Sequence, residues 1–381
     1  MSEARLFTIP PGAAFLPALA DALIAGRLVG DLGADPLALA GVTIYLPTRR
    51  AARALAAILA ERLGDAALLP RMVPLGEADE AELDLAANPL LENGPDALNP
   101  SMPPLERRLI LARLVQAWAE TVDRKLLPID DDVPFLVPSS PSDAVGLAAD
   151  LERLMDALTV EGLPWSEIGS AVEAEYSQYF GLTLDFVRIA AEAWPRILAE
   201  RGMSDPVSRA RTLVLAEAER LRRDRPEDPV VVAGSTGSVP ATARLIAAVA
   251  SLPRGAVVLP GLDLELDQGG WDAIETGEGF SREIAHGHPQ AVLHRLMGPG
   301  GLNLPRDAVT ALGATDADAR ARATLLSQAL RPAETTDAWA RIAAPERAGI
   351  AARGLAGLAV AEAADEREEA LIAAIALRET L

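Results

Sequence analysis

Val230–Ile246 reads VVVAGSTGSVPATARLI. A short apolar run is followed by Gly234-Ser235-Thr236-Gly237-Ser238, then by Pro240 and apolar residues at helical spacing. That is a buried strand, a turn and the start of a helix. In α/β proteins such a turn can present backbone N–H groups to a phosphate. A P-loop, however, needs four residues between its glycines and then Lys and Ser or Thr. Here two residues separate Gly234 from Gly237, and Pro240 follows instead of Lys. The G-x-G-x-x-G pattern is also missing. Two readings stay open. Gly234, Ser235, Thr236, Gly237 and Ser238 form a phosphate-loop-like turn, or Ser238 caps a helix that has Pro240 near its first turn.

Outward from this stretch, Pro240–Leu252 reads as a helix and Ala256–Leu259 as a second strand. Together they make a right-handed βαβ unit. The N-terminal part has the same grammar. Arg5–Ile9 is a strand candidate, Phe15–Leu28 a helix, Val42–Leu46 a strand, and Thr48 caps a helix that Gly64 stops. Alternating β and α elements favour a parallel sheet covered by helices.

Between these halves the pattern changes. Leu68–Ser101 is rich in Pro, Asn and Gly and reads as a long loop. From Leu105 to about Leu221 the periodicity is helical. Leu105, Leu109, Leu114, Trp118 and Val122 suggest one apolar face. Ser140-Pro141-Ser142-Asp143 forms a capping box, and Val172–Arg201 is another helical region. Pro260–Gly301 is rich in Gly and Asp. Leu355–Val360 is a last strand candidate before a terminal helix. The organisation expected is an α/β domain in two parts, residues 1–100 and 227–345, interrupted by a helical block, 101–226. The start of a second domain follows at 346–381.

Composition excludes several chemistries. The 381 residues include no Cys, so thiolate zinc sites, disulfides and Cys-held clusters are ruled out in this chain. No apolar run is long enough for a membrane span, and the first residues do not resemble a secretory signal, which points to the cytoplasm. The formal net charge is −20, so any contact with nucleic acid must be local. Lys125 is the only lysine. The first βα turn, Thr8–Pro17, therefore lacks the Lys that neutralises nucleotide phosphates, and no strand ends in an Asp-Glu pair fit to hold Mg²⁺.

One basic cluster stands out. Thr48, Arg49, Arg50 and Arg53 open a helix, and cations there are mildly unfavourable, which asks for a reason. Guanidinium groups fork phosphate oxygens, so contact with a nucleic-acid backbone is one reading and a solvated face is the other. His286, His288 and His294 match no standard metal spacing. Asp263, Glu265 and Asp267 could bind a divalent ion or line a solvent face.

FTIPPGAAFLPALADALIAGRL, YLPTRRAARAL, DPVVVAGSTGSVPATARLIAAVASLPRGAVVLPGLD, HPQAVLHRL and ADEREEALIAAIALRE, in that order, resemble the N-terminal part of the AddB family of double-strand break repair proteins. LAADLERLMDAL and FVRIAAEAWPRILAERGMSDPVSRARTL in the helical block are similar too. The resemblance implies a RecA-like parallel sheet of an inactivated superfamily 1 helicase domain, interrupted by an all-helical insertion. It implies a subunit of the AddAB helicase–nuclease, partnered with AddA, that acts on DNA as a single strand or duplex end. On it, Thr48, Arg49, Arg50 and Arg53 match positions that touch single-stranded DNA. The family's nuclease domain, with its iron–sulfur cluster and Mg, is expected to lie outside these residues, making them a non-catalytic piece. The alternative is a nucleotide-dependent α/β enzyme that uses the Gly234–Ser238 turn.

Overall fold

The computed structural model describes residues 5–30, 37–64, 68–75, 98–121, 140–165, 186–187, 189–276 and 287–380. Strands β1 (Arg5–Ile9), β2 (Thr43–Leu46), β3 (Arg71–Pro74), β4 (Val230–Ala233), β5 (Gly255–Pro260) and β6 (Thr310–Ala311) form one sheet. Every pairing is parallel, in the order β3-β2-β4-β5-β1-β6. Val230, Val231, Val232 and Ala233 are all buried, as a strand covered on both faces requires. The fold is therefore α/β.

The order fixes where the helices go. From β1 the chain crosses past β5 and β4 to reach β2, and then steps outward to β3. From β3 it returns to β4, and then moves through β5 to β6. Right-handed crossovers put connections of opposite direction on opposite faces. Accordingly α1 (Phe15–Ile24) packs with α2 (Arg49–Leu63), and the helix that precedes β4 packs with the helix that follows it.

Between β3 and β4 come α3 (Pro104–Thr121), α4 (Pro141–Glu161), a π-helical turn (Ile189–Ala193), α5 (Trp194–Arg201) and α6 (Pro206–Asp224). They enclose a core of their own around Leu111, Val115, Leu151, Met155 and Trp194. The capping box at Ser140 is present. Ser140 N donates to Asp143 Oδ2 (3.0 Å) and Asp143 N donates to Ser140 Oγ (3.2 Å). The π turn sits immediately before Pro195, which has no N–H to continue an α-helical ladder.

By contact density the chain divides into two compact units. The first comprises residues 1–9, 14–262 and 290–313, and holds the sheet and the helices named so far, with α7 (Pro240–Ala250) between β4 and β5. The second comprises residues 10–13, 263–289 and 314–381. In it α8 (Ala317–Ala329) packs with α9 (Ala344–Gly354), and α10 (Glu366–Thr380) follows. Its anchor is Arg331, whose side chain is 2 % exposed and grips Asp267 with two bonds, NH2 to Oδ2 at 2.7 Å and NH1 to Oδ1 at 3.1 Å.

Several expectations need correction. Arg71–Pro74 is a strand within the stretch read as loop, and β6 was not anticipated. Both are edge strands, where a short or Pro-ended segment needs only one partner. Leu105 and Leu109 are exposed, because α3 turns Arg107, Ile110, Leu111 and Val115 inward instead. Leu355–Val360 pairs with no strand among the described residues; Leu358 is 64 % and Val360 86 % exposed. Val122, the loop residues 76–97 and the helical reading of 172–185 lie outside the described residues.

Candidate functional site

The carboxyl ends of parallel strands carry the turns that function uses. Here the two sequence candidates converge at that edge. The Gly234–Ser238 turn leaves β4, and Pro47-Thr48 leaves β2, the neighbouring strand. A Cβ added at Gly234 would lie 3.2 Å from Phe15 Cε1 and 3.5 Å from Pro47 Cδ. The turn is thus packed against the starts of both α1 and α2.

Gly234 (φ 78°) and Gly237 (φ 68°) both adopt the left-handed conformation that glycine alone enters at no steric cost. Their N–H groups are already engaged. Gly234 N donates to Val258 O (2.9 Å), and Gly237 N donates to Ser235 Oγ (3.3 Å). At Gly237 a side chain would meet Leu296 Cδ1 at 3.0 Å and Ile246 Cδ1 at 3.3 Å. The glycines serve close packing, and the turn holds itself closed. Ser238 does not cap the helix. The N-cap is Val239, with no side-chain hydrogen bond, and Pro240 is the first helical residue. Ser238 is exposed, whereas Ser235 and Thr236 are half-buried.

Thr48 caps α2 as expected: extended backbone (φ −143°, ψ 158°) and Ala51 N donating to its Oγ1 at 3.1 Å. Thr48 is exposed, and its hydroxyl keeps a donor besides the lone pair used in the cap. Leu55 and Leu59 anchor the buried face of α2, which fixes the rotation of the helix. That rotation leaves Arg49 half-buried, while Arg50 and Arg53 are exposed. The exposed arginines of the cluster are therefore Arg50 and Arg53, one turn apart. Neither Arg50 nor Arg53 is paired with an acidic side chain among the described residues. Some other surface arginines are neutralised, as Arg62 by Asp21 (3.1 Å), Arg201 by Glu106, and Arg222 by Glu219 (2.8 Å).

No family model matches the chain, and no curated protein matches it significantly.

Beneath this edge lies a polar link that the sequence reading missed. Tyr45, on β2, donates its hydroxyl to Glu217 Oε1 on α6. Arg220 holds the same carboxylate with Nε to Oε2 and NH2 to Oε1, each 2.8 Å. Burial acts to raise the Glu217 carboxyl, but hydrogen bonds from Arg220 and Tyr45, with the charges of Arg220 and Arg71, outweigh it and hold it below the ordinary carboxylate value. Burial first, and the Glu217 charge second, push the Tyr45 phenol well above its ordinary value. The signal was present in the sequence. Glu217 sits in an otherwise apolar stripe with Leu213, Val214, Ala218 and Leu221.

Two of the acidic candidates are otherwise engaged. Asp263 Oδ1 accepts from Glu265 N (2.8 Å) and Leu266 N (3.0 Å), closing its own turn, and Asp267 belongs to Arg331. Hydrogen bonding from Arg331, then from Gly270 N, lowers the Asp267 carboxyl to about 2. His286 lies outside the described residues. Among the described residues no group of three His, Asp or Glu converges on a metal position, and no helix is long and apolar enough to cross a membrane.

Proposed function

We propose that this chain is a non-catalytic, helicase-like scaffold, of the kind found in the N-terminal part of AddB, that guides a DNA strand and docks a partner subunit. In this reading the sheet is a RecA-like domain of superfamily 1 type, and α3–α6 are a helical insertion between β3 and β4. The site of action is cytoplasmic, the partner is AddA, and the process is double-strand break repair by recombination. The observation that carries the reading is a pair of exposed arginines, Arg50 and Arg53, that no acidic side chain pairs among the described residues, beside a strand–helix turn whose glycine N–H groups are already used. Guanidinium side chains can fork DNA phosphates without any nucleotide in the turn. The missing Lys after β1 agrees with a motor that does no chemistry. The family's iron–sulfur cluster does not fit these residues, because the chain has no cysteine.

The test is a fluorescence-anisotropy titration of labelled single strands at two salt concentrations. Wild type should bind weakly, in the millimolar-to-micromolar range, because the net charge of −20 opposes approach. Three Arg–phosphate contacts give a single-strand salt slope of at most about −2, at ~0.7 per contact. Changing Arg49, Arg50 and Arg53 together to Ala should weaken binding independently of base sequence. Equal affinity for wild type and triple variant removes the proposal.

A further inference from the structure

The edge that carries Arg50 and Arg53 also carries an aromatic ring. Phe15 opens α1, and Leu19 and Leu23, one and two turns further along the same face, are fully buried. Phe15 ends that stripe at the carboxyl edge of the sheet and is only half-buried. Its ring atoms Cε1 and Cζ lie 3.2 and 3.5 Å from where a Cβ on Gly234 would sit, and Pro47 Cδ lies 3.5 Å from the same point. The ring thus meets Pro47, the residue before Thr48, over one glycine. The neighbouring aromatic on β2, Tyr45, is 3 % exposed and committed to Glu217. Among the described residues, Phe15 is therefore the aromatic side chain with exposed surface at the β2–β4 edge.

An apolar π surface and cationic groups therefore share one edge. Arg50 lies three residues after Pro47, so at most ~11 Å of chain separates the two. A single strand offers partners for both: phosphates for the guanidinium groups, and base faces that a duplex keeps stacked on one another. Bases of every kind stack on aromatic rings, while cationic side chains track the backbone. The contact over Gly234 is made by Cε1 and Cζ, at the tip of the ring, and does not itself cover either face.

We propose that Phe15 stacks an unpaired base of the strand whose phosphates Arg50 and Arg53 hold, and that this ring makes the edge selective for single-stranded over fully paired DNA. The inference rests on the DNA-strand reading of the same edge and adds the bases of the ligand to its phosphates. Stacking tolerates any base, so the preference is for an unpaired strand and not for a sequence.

The test is fluorescence anisotropy with the full chain and two labelled strands of equal length, one of thymidylate and one of abasic sites, so that the phosphates match and only the bases differ. Wild type should bind thymidylate roughly five- to tenfold more tightly than the abasic strand. Phe15→Leu keeps an apolar side chain over Gly234, and its thermal melting is checked against wild type. It should lose that same roughly five- to tenfold on thymidylate and bind the abasic strand within about twofold of wild type. With a relaxed circular duplex as competitor, Phe15→Leu should narrow the preference for thymidylate by the same factor, and an unchanged preference overturns the selectivity. Equal wild-type affinity for the two strands overturns the stacking role without any variant. So does a Phe15→Leu loss that is the same on both strands, and in either case the arginine reading stands. If wild type binds neither strand, the DNA-strand reading fails and takes this inference with it.

Discussion

Asp205 ties α3, α5 and α6 of the helical block together, and Asp205→Ala measures that tie. The carboxylate does four jobs. Its Oδ1 accepts from Val207 N (3.1 Å) and Ser208 N (3.2 Å), capping α6. Its Oδ2 accepts from the buried Trp194 indole Nε1 (3.2 Å) and lies 3.0 Å from Arg107 Nε. Arg107 is 5 % exposed, and its other partner, Asp156 at 2.7 Å, is half in solvent. Loss of the cap costs ~1 kcal/mol. An orphaned buried N–H costs ~1–3 kcal/mol. Breaking one arm of a buried ion pair costs ~3–5 kcal/mol when nothing replaces it, and here Asp156 replaces part. These effects share one group and do not add, so the expected loss is ~3–4 kcal/mol. Asp205→Asn keeps an acceptor for the cap but not the charge, and should lose ~1–2 kcal/mol. The assay is native-state hydrogen exchange across α3, α5 and α6, with denaturant unfolding as the global readout. Exchange must accelerate first at the α6 N-terminus and around Trp194. A loss below ~0.5 kcal/mol, the range of ordinary surface changes, would refute the reasoning.

Three further outcomes follow from the same geometry. Because the folded Asp267 carboxyl sits at about 2 against an ordinary 3.8, its stabilisation is full above 3.8 and is lost as pH falls towards 2. Solvent screening of this 55 % exposed group holds the effect to ~1 kcal/mol, and Asp267→Asn should flatten the acid limb of the melting profile. Glu217→Gln should destabilise by ~2–3 kcal/mol, since it leaves Arg220 and Tyr45 with a weaker acceptor, whereas Tyr45→Phe should lose ~1 kcal/mol; chemical denaturation ranks them, and the reverse order would contradict the network. Gly237→Ala combines a φ of 68° with a contact of 3.0 Å to Leu296 and should cost ~1–3 kcal/mol in thermal unfolding, while an unchanged melting temperature would mean that the turn is not a packing corner.

The parallel sheet was legible where strands are buried on both faces. Val230–Ala233 and Gly255–Pro260 are near-continuous apolar runs of the kind that only a covered strand tolerates. The edges were not legible. Arg71–Pro74 is four residues long and ends in Pro, and Thr310–Ala311 has only two residues, both exposed. Such segments become strands because a neighbour offers hydrogen bonds, and that information is not local. Leu355–Val360 failed in the opposite sense, since its apolar residues suit a strand but no described strand lies beside it. On α3 the buried face was mis-set because a buried Arg107, tied to Asp205 and Asp156, occupies a position where the pattern expects an apolar side chain.

The candidate site divides along the same line between local and distant causes. The Thr48 cap and the exposure of Arg50 follow from three neighbouring residues and the stripe of Leu55 and Leu59, so the sequence carried them. The Tyr45–Glu217 link spans 172 positions and could be suspected only from a Glu set in an apolar stripe. The Gly234–Ser238 turn is the instructive case. Its composition is that of an anion cradle, and composition alone left both readings open. The destination of two N–H groups bears on the choice. A cradle keeps its donors free to converge on a ligand, whereas here Gly234 N goes to the sheet and Gly237 N to the Ser235 hydroxyl. The two glycine N–H groups are therefore not offered to a ligand at this edge. Arg50 and Arg53 are the exposed cationic side chains beside it, and their guanidinium groups can fork the oxygens of an anion drawn to this edge.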